Sequence, residues 1–159
     1  MTGALAARLG LGAPELVAFV GAGGKSTLLF ARGKELAAEY RVILTTTTKL
    51  GTEQAAQAPA VCRASEIAAM AAALDGPGLI MVVGGGDAHK VTGPAPEEID
   101  RLSASGVADF VLVEADGARR RPFKAPAAHE PVIPSAASLV VVVMGADAVR
   151  GVISDVCHR

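Results

Sequence analysis

Lys25, Ser26 and Thr27 stand directly behind four small residues, Gly21, Ala22, Gly23 and Gly24, and ahead of them runs the apolar stretch ELVAFV at 15–20. A strand that enters a glycine turn and leaves as a helix aims backbone N–H groups and a helix N-terminus at one concavity, which attracts a phosphate chain. In that setting Lys25 would reach the outer phosphates and the Ser26 hydroxyl would ligate Mg²⁺. The expected ligand is ATP or GTP with Mg²⁺. The longer pattern G-x-x-x-x-G-K-[ST] is not met, because Phe19 holds its first glycine position. What remains is G-x-x-G-K-S-T. Two other readings compete. One is a plain glycine turn carrying a surface lysine. The other is an NAD(P) fingerprint, G-x-G-x-x-S, which calls for an acidic residue at the end of the second strand. That strand ends TTTTK at 45–49, without an acid.

A second group of residues carries acid–base and metal chemistry. The apolar run FVLV at 110–113 delivers Glu114 and, two residues on, Asp116. Residues two apart on a strand share a face, and ligands of open parallel sheets bind beyond the carboxyl ends of the strands. One of these carboxylates would hold Mg²⁺ through water and the other would orient a nucleophile; Mg²⁺ often takes one or two carboxylates plus substrate phosphates. The plain alternative is a solvated pair at a turn. Thr48 and Lys49 lie at the same ligand edge, whereas threonine's liking for strands accounts for Thr45 and Thr46. Arg119, Arg120, Arg121 and Lys124 make a local basic run, with His129 close behind. Arginine grips phosphate and carboxylate bidentately, so these residues are candidates to bind an anionic substrate; a solvated surface run is the alternative. His89, His129 and His158 show no metal-ligand spacing, and GGGD at 84–87 reads as a turn.

Positioning these groups requires alternating strands and helices. Strands are expected at 15–20, 41–46, 60–63, 79–83, 110–113 and 139–144. Helices are expected at 25–38, from 65 or 66 to 74, and at 96–103, where Glu97 and Glu98 suit the first turn. Nearly continuous aliphatic strands suit a parallel sheet covered on both faces. The fold class is therefore α/β, a three-layer αβα sandwich with a mostly parallel sheet, in one domain over residues 1–159. Residues 117–134 hold four prolines and most of the basic run, and read as a long ordered loop of functional type. It is expected to close over the nucleotide or its acceptor.

Composition narrows the function classes. Of 159 residues, 51% are hydrophobic and 19% charged, which excludes a disordered tail. Only 3% are aromatic, so Ala, Val, Leu and Ile must fill the core and the elements must approach closely. Fifteen basic against sixteen acidic residues leave no basic excess for nucleic acid or a membrane surface. Cys62 and Cys157 form no disulfide framework, which fits a cytoplasmic setting. Arg8 is the only early cation, and Gly10, Gly12 and Pro14 interrupt the apolar start, so no signal peptide is expected. The longest uncharged run, residues 131–146, is too short to span a bilayer.

The shortened glycine loop resembles that of Mur-type ligases. Taken together, FVGAGGKSTLLF (19–30), VILTTTTKL (42–50), VEADGARRRPFKAPAAHEPVIP (113–134) and VVVMGADAVRG (141–151) resemble the bacterial selenium-dependent hydroxylase accessory proteins. That resemblance implies a P-loop NTPase-like, nucleotide-binding protein that serves maturation of molybdenum hydroxylases, with such a hydroxylase or its molybdenum cofactor as partner. Members of that family continue past the position of Cys157 to Arg159, so the chain reads as a C-terminally shortened form. Three functions are then open: an ATP- or GTP-dependent hydrolase, transferase or ligase; a nucleotide-switched chaperone; and an NAD(P)-dependent oxidoreductase. In the first, Lys25 neutralises charge, Ser26 and Glu114 hold metal, and Asp116 serves metal or base.

Overall fold

Apolar strands without polar alternation favour cover on both faces, and here they stack side by side. The computed structural model describes residue 10 and residues 12–159. The reading of Arg8 and the first nine residues lies outside the described residues. In chain order the strands are β1 (Glu15–Gly21), β2 (Arg41–Thr46), β3 (Lys49–Gly51), β4 (Val61–Arg63), β5 (Gly78–Val83), β6 (Gly85–Gly86), β7 (Lys90–Thr92), β8 (Phe110–Glu114), β9 (Phe123–Lys124), β10 (Leu139–Val143) and β11 (Cys157–His158). The α-helices are α1 (Lys25–Leu36), α2 (Thr52–Ala55), α3 (Ile67–Ala73), α4 (Pro96–Ala104) and α5 (Ile153–Val156), and a 3₁₀ turn spans Ala146–Arg150.

Six strands form one sheet in the order β10-β1-β8-β2-β5-β4. Every pairing in it is parallel. Residue alternation sorts the core into two layers. Val17, Phe19, Val42, Leu44, Met81 and Leu112 point to the face that α1 covers with Leu29, Phe30 and Leu36. Leu16, Ala18, Ile43, Ile80, Val82 and Val111 point to the other face, against Met70 and Leu74 of the α3 segment and Ile99 and Leu102 of α4. Burying each such side chain contributes about 1.5–3 kcal/mol. With few aromatics, close approach does the filling. A Cβ on Gly33 of α1 would come within 2.7 Å of Leu44 Cδ2, so the helix lies directly on β2.

The main strands and helices fall where the sequence places them, within two or three residues at each end. Five short strands, two one-turn helices and the 3₁₀ turn were not foreseen. β3, β7 and β6 make a separate antiparallel sheet in the order β3-β7-β6, so GGGD is half strand rather than only a turn. The β9–β11 pair ties residues 123–124 to 157–158. Otherwise residues 117–134 form the expected irregular, ordered segment. Cys62 and Cys157 are free thiols. Among the described residues no helix is long and apolar enough to cross a membrane.

Candidate functional site

β1 ends against two neighbours whose carboxyl ends flank it, β8 and β10, and the glycine loop fills the gap between them. Gly23 and Gly24 take φ of 63° and 96°, a region that L side chains rarely adopt. A Cβ on Gly23 would also lie 2.5 Å from Gly145 Cα. Two loop N–H groups are spoken for: Gly21 donates to Asp116 Oδ2 (3.2 Å) and Ala22 to the Val143 carbonyl (2.8 Å). Among the described residues the next five, on residues 23–27, find no acceptor, and the helix has no side-chain cap. A helix N-terminus left open in this way favours an anion.

Lys25 opens α1 and folds back under the loop. Its Nζ donates to the Gly21 carbonyl (2.7 Å) and lies 3.9 Å from Glu114 Oε1. Burial pushes its pKa down, and Glu114 and Asp116 counter that push. Ser26 Oγ donates to Glu114 Oε2 at 2.6 Å, which joins the first turn of α1 to the end of β8. Burial raises the Glu114 pKa, while the Ser26 hydrogen bond and Lys25 lower it. Hydroxyl and carboxylate thus sit side by side at the mouth of the open N–H groups. Among the described residues no group of three or more His, Cys, Asp or Glu side chains is set to hold a metal, so a cation here would need ligands from elsewhere as well.

Asp116 faces away from this point. It is buried, one oxygen accepts from Gly21 N–H, and the other accepts from the buried Lys124 ammonium. Lys124 also lies 3.0 Å from Glu130, which accepts from Ala127 N–H (3.2 Å) and pairs with Arg159 (3.1 Å). The hydrogen bond from Lys124 leads in drawing the Glu130 carboxyl down from its ordinary 4.5 to about 2.

A cavity of about 1450 Å³ opens over the loop. Residues 23–27, Thr48, Lys49, Glu114, Arg119, Arg120 and Arg121 line it, so most of the residues singled out from the sequence converge. Gly21, Ala22, Asp116, Lys124 and His129 do not line it. Gly21, Ala22 and Asp116 instead brace the loop from behind, Lys124 is buried in the ion cluster, and His129 is exposed. Thr45, Thr46 and Thr47 spend their hydroxyls on the carbonyls of Val82, Glu114 and Val132. The sequence reading missed the wall built by β3, α2 and β7, which brings in Glu53, Gln54, His89 and Lys90, and it missed His158 and Arg159. The pair His89-Lys90 was the available signal.

A family model described as YqeC protein matches residues 17–159. The chain belongs to the YqeC family. A YqeC protein of Escherichia coli (strain K12), described as uncharacterized, is 37% identical over 133 residues, which cover 83% of this chain and 52% of the relative. The chain therefore spans about half the length of that curated YqeC relative. No solved structure matches. Each YqeC motif quoted above falls within the matched region, and three of the four supply residues to the cleft wall.

Proposed function

We propose that the cleft binds a nucleoside triphosphate, ATP or GTP, as its Mg²⁺ complex, on the P-loop-like residues 21–27. The Ser26–Glu114 hydrogen bond carries this reading. It sets a hydroxyl beside a partly desolvated carboxylate, directly under five open N–H groups. Mg²⁺ binds through one or two protein oxygens with phosphate and water making up the rest, so two protein ligands fit it better than a dedicated cage would. When bound, the metal would neutralise charge on the phosphates. The N–H groups of residues 23–27 would hold the phosphate oxygens, and Lys25 would swing from the Gly21 carbonyl to the outer phosphate. Ser26 and Glu114 would hold the metal, while Asp116 would keep the loop in shape rather than act on substrate.

The resemblance of the four motifs to selenium-dependent hydroxylase accessory proteins supplies the biological setting: nucleotide-dependent maturation of a molybdenum hydroxylase in the cytoplasm. Positioning and charge neutralisation are what a protein contributes to phosphoryl chemistry, and this cleft is built from groups that do both. Calorimetry tests the reading. ATP should bind more weakly without Mg²⁺, and Lys25→Ala should weaken the Mg²⁺ complex by about tenfold or more, the scale of one charge-assisted contact. Equal affinity in wild type and variant would end it.

A further inference from the structure

We infer that the cleft holds a second anionic ligand, a small phosphate-bearing molecule, gripped by Arg119, Arg120, Lys49 and Lys90 beside the nucleotide. The word "second" rests on the nucleotide reading; the anion site itself does not. Room is the first argument. Pockets for one small ligand run to roughly 300–1000 Å³, and this cavity is about 1450 Å³.

Charge is the second argument. Seven Lys and Arg side chains line the cavity, against the carboxylates of Glu53, Glu114 and Glu130. Three of the seven have partners: Lys25 on Gly21 and Glu114, Arg121 on the carbonyls of Ser154 and Asp155, and Arg159 on Glu130. Among the described residues the side chains of Arg119, Arg120, Lys49 and Lys90 make no hydrogen bond or ion pair. A triphosphate already meets the open N–H groups and Lys25, and its metal offsets part of its charge. Asp87 offsets part of the charge of Lys49 and Lys90, and the positive charge left over in this concavity, in a chain of net charge −1, favours an anion among the four cations.

The backbone supplies the third argument. Arg121 N–H donates to the Ala118 carbonyl (2.8 Å), which closes a four-residue turn with Arg119 and Arg120 at its tip. Their φ angles are 45° and 65°. Positive φ at both central residues marks a type I′ turn, whose usual occupants are Asn and Gly. Two arginines there hold a costly conformation that their side chains do nothing inside the fold to repay. Buried Ala118 and pinned Arg121 hold the base of the turn, so the guanidinium groups are presented from a fixed platform. Phosphate is the fitting class. It concentrates about 1.5–2 negative charges and three acceptor oxygens in one group, which suits guanidinium forks and ammonium point charges together.

The test titrates inorganic phosphate into protein saturated with a non-hydrolysable ATP analogue and Mg²⁺, read by calorimetry. The variants are Arg119→Asn with Arg120→Asn, Lys49→Gln with Lys90→Gln, and Lys25→Ala. Asn tolerates positive φ, so the first pair removes charge and keeps the turn; thermal melts check the fold. Wild type should bind phosphate with the analogue in place, and either pair should weaken that binding by about tenfold or more. Analogue affinity should stay within about threefold, a change below one contact's worth. Lys25→Ala should bind the analogue about tenfold or more weakly and keep phosphate. The inference is overturned if saturated wild type ignores phosphate, if the arginine pair leaves phosphate binding unchanged, or if that pair weakens analogue and phosphate alike. Should wild type bind phosphate through the arginines but no nucleotide at all, the nucleotide reading fails and the anion site stands.

Discussion

At the scale of single residues, the ion cluster behind the loop is where charge and burial are most tightly linked. Lys124 is fully enclosed, and Asp116 is nearly so. Removing one member of a buried pair strands the other, at a cost of about 3–5 kcal/mol. Lys124→Ala should therefore lose stability of that order in urea unfolding, whereas a solvated surface lysine would lose almost none. Glu130, on the wetter side of the cluster, has its pKa drawn from 4.5 to about 2. A carboxylate with a depressed folded pKa stabilises the fold above its unfolded pKa, and that share disappears as pH falls through the folded value. Glu130→Gln should thus lower the melting temperature at pH 7, and the gap to wild type should close between about pH 4.5 and pH 2. A gap that is constant over this range would mean that Glu130 acts through packing and not through charge. That Lys25, Ser26 and Glu114 meet at one edge was legible in the sequence, because a local motif and a strand end place them there. The roles of Asp116 and Lys124 were not. One partner of Asp116 is Gly21, 95 positions away, and no local pattern encodes such a contact.

At the scale of elements, long and uniform segments were legible, and of the short strands only β4 was. β1 and β5 each carry five consecutive apolar residues, β8 carries four and β2 three before its threonines, and α1 follows its glycine turn directly. β3 and β7 have three residues each, too few for any period to register, and β6 is two glycines. Yet this small sheet supplies a wall of the cleft, and its attachment is backbone against backbone. Gly84 N–H donates to the Thr92 carbonyl (2.9 Å) and Gly93 N–H to the Thr48 carbonyl (3.0 Å). A Cβ on Gly93 would sit 1.4 Å from the Thr46 carbonyl oxygen. Backbone cannot yield as a flexible side chain can, so Gly93→Ala must push the small sheet off the end of β2. Crowding of this kind costs about 1–3 kcal/mol. The expected result is a lower melting temperature together with weaker phosphate binding, because Lys49 and Lys90 move with the sheet. Loss of stability with ligand binding intact would show that the wall and the site are independent.

At the scale of the whole molecule, the sheet order decides where charge collects. β8 lies between β1 and β2, so the loop after β1, the carboxylate ending β8 and the threonine run after β2 emerge side by side at one edge. The sequence told of alternating strands and helices but not of this order, since crossovers leave no mark in local pattern. Beside β1, β10 closes that edge of the sheet with Val140 and Val142 facing outward, the latter 77% exposed. The charged groups are distributed just as unevenly. A chain of fifteen basic and sixteen acidic residues places seven of its cations around one cavity. Such a concavity focuses its field and draws anions in from solution, speeding association more than it slows release. Salt then becomes the diagnostic. Raising ionic strength from about 0.01 M to about 0.15 M shortens the Debye length from about 30 Å to about 8 Å. Stopped-flow association of an anionic nucleotide analogue should slow severalfold over that range, while its dissociation rate changes little. Arg119→Asn with Arg120→Asn should flatten the dependence without abolishing binding at the loop. If salt acts on the dissociation rate and leaves association untouched, the cations are making contacts with the nucleotide itself, and the cleft has no steering field to speak of.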